Sequence, residues 1–252
     1  MWLAGQQDAL KAIRKGMDLY RLFGSEAFNI RYEDIAKDSV ERFLSKECCL
    51  SLIYGTGAAK LQNTIRLRSK GKTTVSLTEA ERLKNLYRTK NDRVVDAWRE
   101  GERVLDWISR NECHTAFNFL PVLGQAGIVK PSKLSLPYPN LRQVITTKGS
   151  EWNYDVRRGR ATMTDKVYGA KVYQRCVQSL ARDIMAEMTL DINQEYWVAG
   201  LVHDEVITVV PEAQAEDAKA YIQQAMSKSP VWAPDLPLAC EVGIGLRYGD
   251  AK

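Results

Sequence analysis

The chain has 252 residues, of which 45% are hydrophobic and 27% are charged, proportions that are ordinary for a folded globular protein. No apolar run approaches membrane-spanning length and no signal-peptide pattern is present, which argues against a membrane or secreted protein and predicts a cytoplasmic one. The five cysteines form no C-x-x-C pair and only two histidines occur, which argues against a disulfide framework, a zinc site or a multi-histidine metal site. The formal net charge of +5 permits nucleic acid as a partner without establishing it.

The first half of the chain is expected to be mostly helical. Apolar residues at helical spacing cover residues 1–28, with Asp18 as a plausible cap inside that region. A second helix is expected to begin after a cap at Asp38 or Ser39 and to end at Gly55. The elements expected further along are a helix from Thr78 to Ile108 with a bend at Gly101, a hairpin of strands 144–147 and 152–156, a basic patch at Arg157, Arg158 and Arg160, a helix from about Asp165 to Leu190, a helix over 212–228 and a final strand over 238–244.

One face of the second helix carries a chemically distinctive series of side chains. Arg42, Lys46, Leu50 and Tyr54 follow one another at intervals of four residues, which places them along one stripe of the helix. A triphosphate could contact the two cations while a sugar and base lie toward the leucine and the tyrosine, because Arg and Lys bind phosphate in complementary ways. The alternative is an amphipathic helix whose cations are merely solvated, as exposed Arg and Lys usually are.

A second feature is a predicted β-hairpin whose turn carries His203, Asp204 and Glu205. The flanking runs, 196–202 and 206–210, are rich in β-branched and aromatic residues and predict two strands. A plain hairpin turn would favour Asn-Gly or Asp-Gly here. Two adjacent carboxylates at a rigid turn suit a hard divalent cation, although a solvated turn with no function explains the tetrapeptide about equally well.

Taken in order, these motifs resemble one known family. Arg42-x-x-x-Lys46-x-x-x-Leu50-x-x-x-Tyr54-Gly55, then Gln178-x-x-Ala181-Arg182-Asp183, then Val202-His203-Asp204-Glu205 are similar to the polymerase half of phage-type family A DNA polymerases. The resemblance covers essentially the whole chain. It implies an α+β fold in which residues 1–160 form a mostly helical fingers subdomain and residues 161–252 form part of an antiparallel palm sheet.

The resemblance also implies a role for each matched residue. The implied roles are triphosphate binding by Arg42 and Lys46, with Lys46 also counted among the catalytic residues; lining of the insertion site by Tyr54; a nucleotide contact at Tyr20, where many members have His; primer-template contacts by Gln178, Arg182 and His203; metal binding by Asp204; and ordering of the catalytic site by Glu205. Leu50 stands where members usually have Phe or Tyr, so selection of the sugar is expected to differ.

The family needs a second catalytic aspartate, on a strand that would precede Trp2-Leu3-Ala4-Gly5. Two-ion Mg²⁺ chemistry requires carboxylates around both ions, so the site is expected to be incomplete in this chain alone. We therefore expect the C-terminal subunit of a split DNA-directed DNA polymerase. Its partners would be primer-template DNA, dNTPs and a second polypeptide that supplies the thumb, the missing strand and its aspartate, in the host cytoplasm if a phage encodes it. The alternatives are a non-catalytic DNA-binding remnant, a truncated fragment, or a soluble α+β protein of no assignable function.

Overall fold

A computed structural model describes residues 1–147 and 149–251, which form eight α-helices and nine β-strands. The helices are α1 (Gln7–Arg14), α2 (Leu19–Phe28), α3 (Val40–Leu52), α4 (Ala58–Arg68), α5 (Leu77–Lys90), α6 (Asp92–Ser109), α7 (Gly169–Glu195) and α8 (Ala215–Ser227). The strands are β1 (Cys113–Ala116), β2 (Leu120–Leu123), β3 (Ile128–Val129), β4 (Ser135–Leu136), β5 (Arg142–Thr146), β6 (Gly149–Arg158), β7 (Ala161–Val167), β8 (Val198–Val202) and β9 (Glu205–Thr208). Helices combined with antiparallel strands confirm the expected α+β fold class.

The chain divides into two compact units, Met1–Val177 and the residues from Gln178 onward. Helix α7 begins in the first unit and continues into the second. Assignment of residues 1–160 to fingers and 161–252 to palm remains a prediction, because compactness alone does not assign a role to either unit. No helix in the described ranges is long and apolar enough to cross a membrane.

Helix α3 lies in the apolar core of the first unit. Its side chains Leu44, Cys48 and Leu52 are buried at intervals of four residues, the spacing that aligns side chains on one helical face. They join a cluster contributed by α2, α3, α4 and α5 that comprises Phe23, Ala27, Leu44, Cys48, Leu52, Ala58, Leu61, Ile65, Ala80, Leu83 and Tyr87. Ser39 caps the helix as expected, since its hydroxyl accepts a hydrogen bond from the Arg42 amide at 3.2 Å.

The prediction of a single long helix over 78–108 is wrong, because this region forms two separate helices, α5 and α6. The break falls at Asn91, whose side-chain amide donates to the Tyr87 carbonyl at 2.9 Å in the buried interior. A side chain that binds the preceding backbone in this way competes with helix continuation. The cap of α5 is Ser76.

Gly101, where a bend was expected, lies inside α6, which runs without a break from Asp92 to Ser109. It instead permits close contact with the start of α7. A Cβ built on Gly101 would lie 2.3 Å from the Gly169 carbonyl oxygen, and one built on Gly169 would lie 1.9 Å from the Trp98 oxygen.

The strands of the first unit form two antiparallel sheets, ordered β1-β2-β3-β4 and β5-β6-β7. The predicted hairpin over 144–156 corresponds to β5 and β6. Strand β7 was not anticipated from the sequence; Asp165 pairs with Tyr154 in it, so α7 begins at Gly169 rather than near Asp165. The expected basic patch spans the end of β6 and the turn that follows it. Arg157 and Arg158 lie in β6, where Arg158 pairs with Ala161 of β7, and Arg160 lies in the turn.

The second unit is built around the β8–β9 hairpin and α8. Its core contains Ile192, Ala218, Ile222 and Ala225, with Val198 and Val206 of the hairpin packed against it. The prediction of a strand over 238–244 is wrong, since these residues form neither a helix nor a strand. Val242 packs against this core and the Cys240 thiol approaches the Gln223 carbonyl at 3.6 Å, so packing on α8 takes the place of strand pairing.

The glycine contact between α6 and α7 gives a prediction for stability. Gly101→Ala should lower the free energy of unfolding by about 1–3 kcal/mol, because overpacking outweighs the helix preference of alanine. Urea unfolding monitored by circular dichroism measures the change. Gly57→Ala is the matched control, since nothing lies within 4 Å of a Cβ there, and it should change stability by less than about 1 kcal/mol. Equal effects of the two substitutions would contradict the contact.

Candidate functional site

The stripe predicted on α3 faces away from the core of the first unit. Arg42, Lys46 and Leu50 each precede a buried residue of α3 by two positions, which is about 200° around a helix. Lys46 and Leu50 are accordingly exposed. Tyr54 lies in the turn after the end of α3, so it follows the stripe without being part of the helix.

Arg42 is engaged in an ion pair that the sequence did not reveal. Its Nε and Nη2 atoms both lie 2.8 Å from Oδ2 of Asp18, and its Nη1 donates to the Lys37 carbonyl at 3.3 Å. The side chains of Arg42 and Asp18 retain only 19% and 26% of their exposure. All three nitrogens of the guanidinium therefore already have partners.

Asp18 is fixed from several directions. Its Oδ1 accepts hydrogen bonds from the Tyr20 and Arg21 amides at 2.8 and 3.3 Å, which confirms its predicted role as the cap of α2. Its own amide donates to the Tyr32 hydroxyl at 2.9 Å. Burial raises the pKa of Asp18, but the hydrogen bonds from Arg42 and the two amides outweigh burial and lower the pKa overall. The carboxylate is thus held in its charged form.

Tyr20 lies beside the same pair. The guanidinium carbon of Arg42 lies 5.6 Å from the centroid of its ring, a cation–π distance. Burial, with added repulsion from neighbouring Cys49 and Asp18, raises the pKa of the Tyr20 phenol, so it remains protonated. The structure therefore brings together Asp18, Tyr20 and Arg42.

Lys46 differs from Arg42 in its surroundings. It is exposed, and with the residues that the structure describes it forms neither an ion pair nor a side-chain hydrogen bond. Leu50 follows it with 39% of its surface exposed. The stripe thus presents one unpaired cation and one apolar side chain to solvent.

In the second unit, His203 and Asp204 form a two-residue turn, since Val202 pairs with Glu205. His203 has φ 54°, in the left-handed region that favours glycine. Asp204 is exposed and forms no ion pair within residues 1–147 and 149–251. Its carboxylate is consequently available to a ligand from solution.

Glu205 is the first residue of β9, whereas the sequence placed it in the turn. Its carboxylate accepts a hydrogen bond from the hydroxyl of Tyr248. Sequence reasoning did not assign Tyr248 to the site, because nothing in the local pattern links residues 43 positions apart. The Glu205 carboxylate is therefore fixed by a hydrogen bond, whereas the Asp204 carboxylate is exposed to solvent.

Gln178 and Arg182 lie one turn apart on α7 and are both exposed. Cys176 and Leu180, two residues before each of them, are buried. The helical period thus directs both polar side chains to solvent on one face.

The described residues include no group of three or more His, Cys, Asp or Glu side chains placed to hold a metal ion. Asp204 offers a hard oxygen donor of the kind that Mg²⁺ prefers. One such carboxylate cannot surround two ions.

Comparison with known proteins places these motifs in context. The chain is 27% identical over 257 aligned positions to a DNA polymerase of Bacillus phage SP02, an alignment that covers 95% of this chain and 37% of that protein. A 51-residue stretch is 43% identical to the thermostable DNA polymerase I of Thermus filiformis, covering 20% of this chain and 6% of that polymerase. No protein-family model matches the chain.

The fold agrees with these sequence relatives. The polymerase domain of Pol1 from M. smegmatis, solved in complex with DNA primer-template and dNTP, superimposes with a TM-score of 0.62 over 96% of this chain and 36% of that one, at 18% identity. This chain thus spans little more than a third of the phage relative and of the solved structure. Sequence and fold together confirm the resemblance of this chain to the C-terminal portion of a family A DNA polymerase.

Proposed function

We propose that this chain acts in template-directed DNA synthesis, binding an incoming dNTP and primer-template DNA. The observation that carries the proposal is the solvent face of α3, where Arg42 and Lys46 stand one turn apart opposite a buried apolar face. An amphipathic surface helix without a function would also carry exposed cations. The match of the same positions to a polymerase motif, within a chain whose relatives are DNA polymerases, favours the nucleotide site.

Each residue of the α3 stripe has a proposed role. Lys46 supplies a mobile charge to the triphosphate, and Arg42 supplies a planar donor group. Tyr54 lines the insertion site, and Tyr20 lies beside Arg42 where it contacts the nucleotide. Leu50 offers an aliphatic surface to the sugar, which cannot provide the stacking of an aromatic ring.

The β8–β9 turn has the proposed role of a metal-binding and primer-end site. Asp204 would hold Mg²⁺, whose chemistry is to lower the pKa of a bound hydroxyl and to stabilise charge on the phosphates. Glu205, fixed by Tyr248, keeps negative charge beside Asp204 and orders the turn. His203 sets the backbone of the turn and packs near the primer end.

The DNA contacts are assigned to exposed polar groups. Gln178 and Arg182 face solvent together on α7 and would contact the primer-template. The end of β6 and the turn into β7 add Arg157, Arg158 and Arg160, all exposed. Guanidinium groups of this kind bind the phosphate backbone without regard to sequence.

A second metal-binding carboxylate is the remaining requirement. Since the described residues contain no three-membered ligand group, we propose that polypeptide beyond these 252 residues completes the two-ion site. In the split form of this proposal, a second polypeptide supplies that aspartate together with the thumb. Primer extension by material purified together with its natural partners, but not by the isolated chain, would support the split form. Extension by the isolated chain would mean that a second metal-binding carboxylate lies within these residues.

Asp204→Asn should reduce primer extension by about 100-fold or more, because metal stabilisation of transition-state charge is worth several kcal/mol. DNA affinity should change little. The assay uses Mg²⁺, dNTPs and the co-purified material. Asp217→Asn, which removes an exposed charge in the first turn of α8, is the control and should retain activity. Full activity of the Asp204 variant would remove this residue from the metal site.

Lys46→Ala should raise the KM for dNTPs by roughly tenfold, since a hydrogen bond to a charged group is worth about 1.5–3 kcal/mol. Steady-state primer extension at varied dNTP concentration measures it. Lys60→Ala, at an exposed position of α4, serves as the control for loss of one positive charge. An unchanged KM and kcat for the Lys46 variant would exclude it from the nucleotide site.

Replacing Arg158 and Arg160 together by Gln should weaken duplex DNA binding. The slope of log affinity against log salt should become shallower by about 0.9 for each phosphate that the variant no longer neutralises. Fluorescence anisotropy over a salt series gives the slope. Arg99→Gln, whose arginine is exposed and paired with Asp96 at 2.6 Å, should leave the slope unchanged. Equal slopes for the turn variant and the unmodified chain would count against this surface.

The competing function is a DNA-binding remnant without catalysis. It shares the salt-dependent DNA affinity but predicts no extension with any partner and no effect of Mg²⁺ or dNTP on binding. The Asp204 and Lys46 variants therefore separate it from a polymerase.

A further inference from the structure

The two cations of the α3 stripe differ in how much positive charge they offer to a ligand, because one of them is already neutralised by a carboxylate. Arg42 forms a neutral pair with Asp18 at 2.8 Å, and both side chains are mostly buried. Lys46 stands one turn away without a partner among the described residues. An anion that approaches this stripe therefore finds one available positive charge rather than two.

The pair cannot separate freely, because Asp18 is fixed independently of Arg42. Its Oδ1 caps α2 through the Tyr20 and Arg21 amides, and its own amide donates to the Tyr32 hydroxyl. These bonds hold the carboxylate where it is when the guanidinium moves. The Tyr20 ring, 5.6 Å from the guanidinium carbon, keeps the side chain of Arg42 in its present position.

Removal of Arg42 from Asp18 leaves a partly buried carboxylate without its counter-charge, which has an energetic cost. A polyanionic ligand binds Arg42 only if its attraction to the guanidinium exceeds the free energy lost when the ion pair separates. Ligand binding and the Asp18 ion pair thus compete for the same donors.

We propose that Asp18 is a built-in counter-ion of Arg42 that competes with the triphosphate of the nucleotide and thereby sets the affinity of the α3 stripe. The proposal rests on the nucleotide site assigned above. Asp18 is a positioning residue, because it acts through Arg42 and does not contact the nucleotide. A triphosphate first meets Lys46 and then exchanges with the Asp18 carboxylate at Arg42.

Asp18→Asn tests this directly. Asn caps helices as well as Asp does, so its side-chain oxygen can still accept from the Tyr20 and Arg21 amides while the negative charge is removed. Binding of inorganic tripolyphosphate to the full chain, measured by titration calorimetry at low salt, should become about fivefold tighter, the worth of a modest ion pair. A purely structural role would weaken binding or leave it unchanged, and either result would overturn the proposal.

Two further variants define the origin of the effect. Asp106→Asn removes a carboxylate from an exposed ion pair with Arg110 and should leave tripolyphosphate affinity unchanged; an equal increase in affinity there would mean that net charge alone is responsible and would overturn the proposal. In an Arg42→Gln background, Asp18→Asn should give no increase. An increase that persists without Arg42 would also overturn it.

Failure of the underlying nucleotide site has a different signature. If binding by the unmodified chain does not depend on Lys46, the α3 stripe is not the anion site, whatever Asp18 does. If Asp18→Asn lowers the melting temperature so far that binding cannot be measured, Asp18→Ser, which retains a capping oxygen, provides the same comparison.

Discussion

The burial of one face of α3 is the constraint on which the first unit depends. Leu44, Cys48 and Leu52 are almost inaccessible to solvent and pack among α2, α4 and α5. A helix turns by about 100° per residue. Burial of these three side chains therefore also fixes the direction of the stripe side chains, each of which lies two positions from a buried one. Displacement of Lys46 relative to the scaffold would require the core to repack, and close-packed cores resist that.

Electrostatics adds a second constraint on the same helix. The Asp18 carboxylate serves two structures at once, since one oxygen caps α2 and the other binds Arg42 of α3. A charged group shared in this way links the geometry of two helices through hydrogen bonds rather than apolar contact. The position of the Arg42 guanidinium is therefore determined by contacts within the folded unit rather than by the rotamer freedom of its own side chain.

Local patterns in the sequence predicted the parts of the fold that depend on neighbours along the chain. The caps at Asp18 and Ser39 follow from residue type and short-range spacing. The break at Asn91 was missed because it depends on a side chain binding the backbone inside a buried environment. The pattern over 238–244 fits a strand equally well as a segment packed on α8, and only tertiary contacts decide between them.

The polar features of the candidate site were predicted unevenly for the same reason. Residue type and spacing correctly indicated exposed positions for Lys46 and Asp204, whereas Arg42 is mostly buried against Asp18. Pairing of Arg42 with Asp18 joins residues 24 positions apart, and pairing of Glu205 with Tyr248 joins residues 43 apart. Hydrogen bonds between distant segments have no periodicity in sequence, so no pattern of hydrophobic residues can report them.

The backbone at His203 combines a conformational penalty with a restricted turn beside Asp204. A non-glycine residue at φ 54° carries a conformational penalty that glycine would not have. Glycine at this position would also enlarge the set of backbone conformations open to the turn, and the carboxylate of Asp204 would then be spread over a wider volume. For the metal site proposed at Asp204, the non-glycine residue at position 203 therefore limits the spread of the carboxylate at the cost of backbone strain.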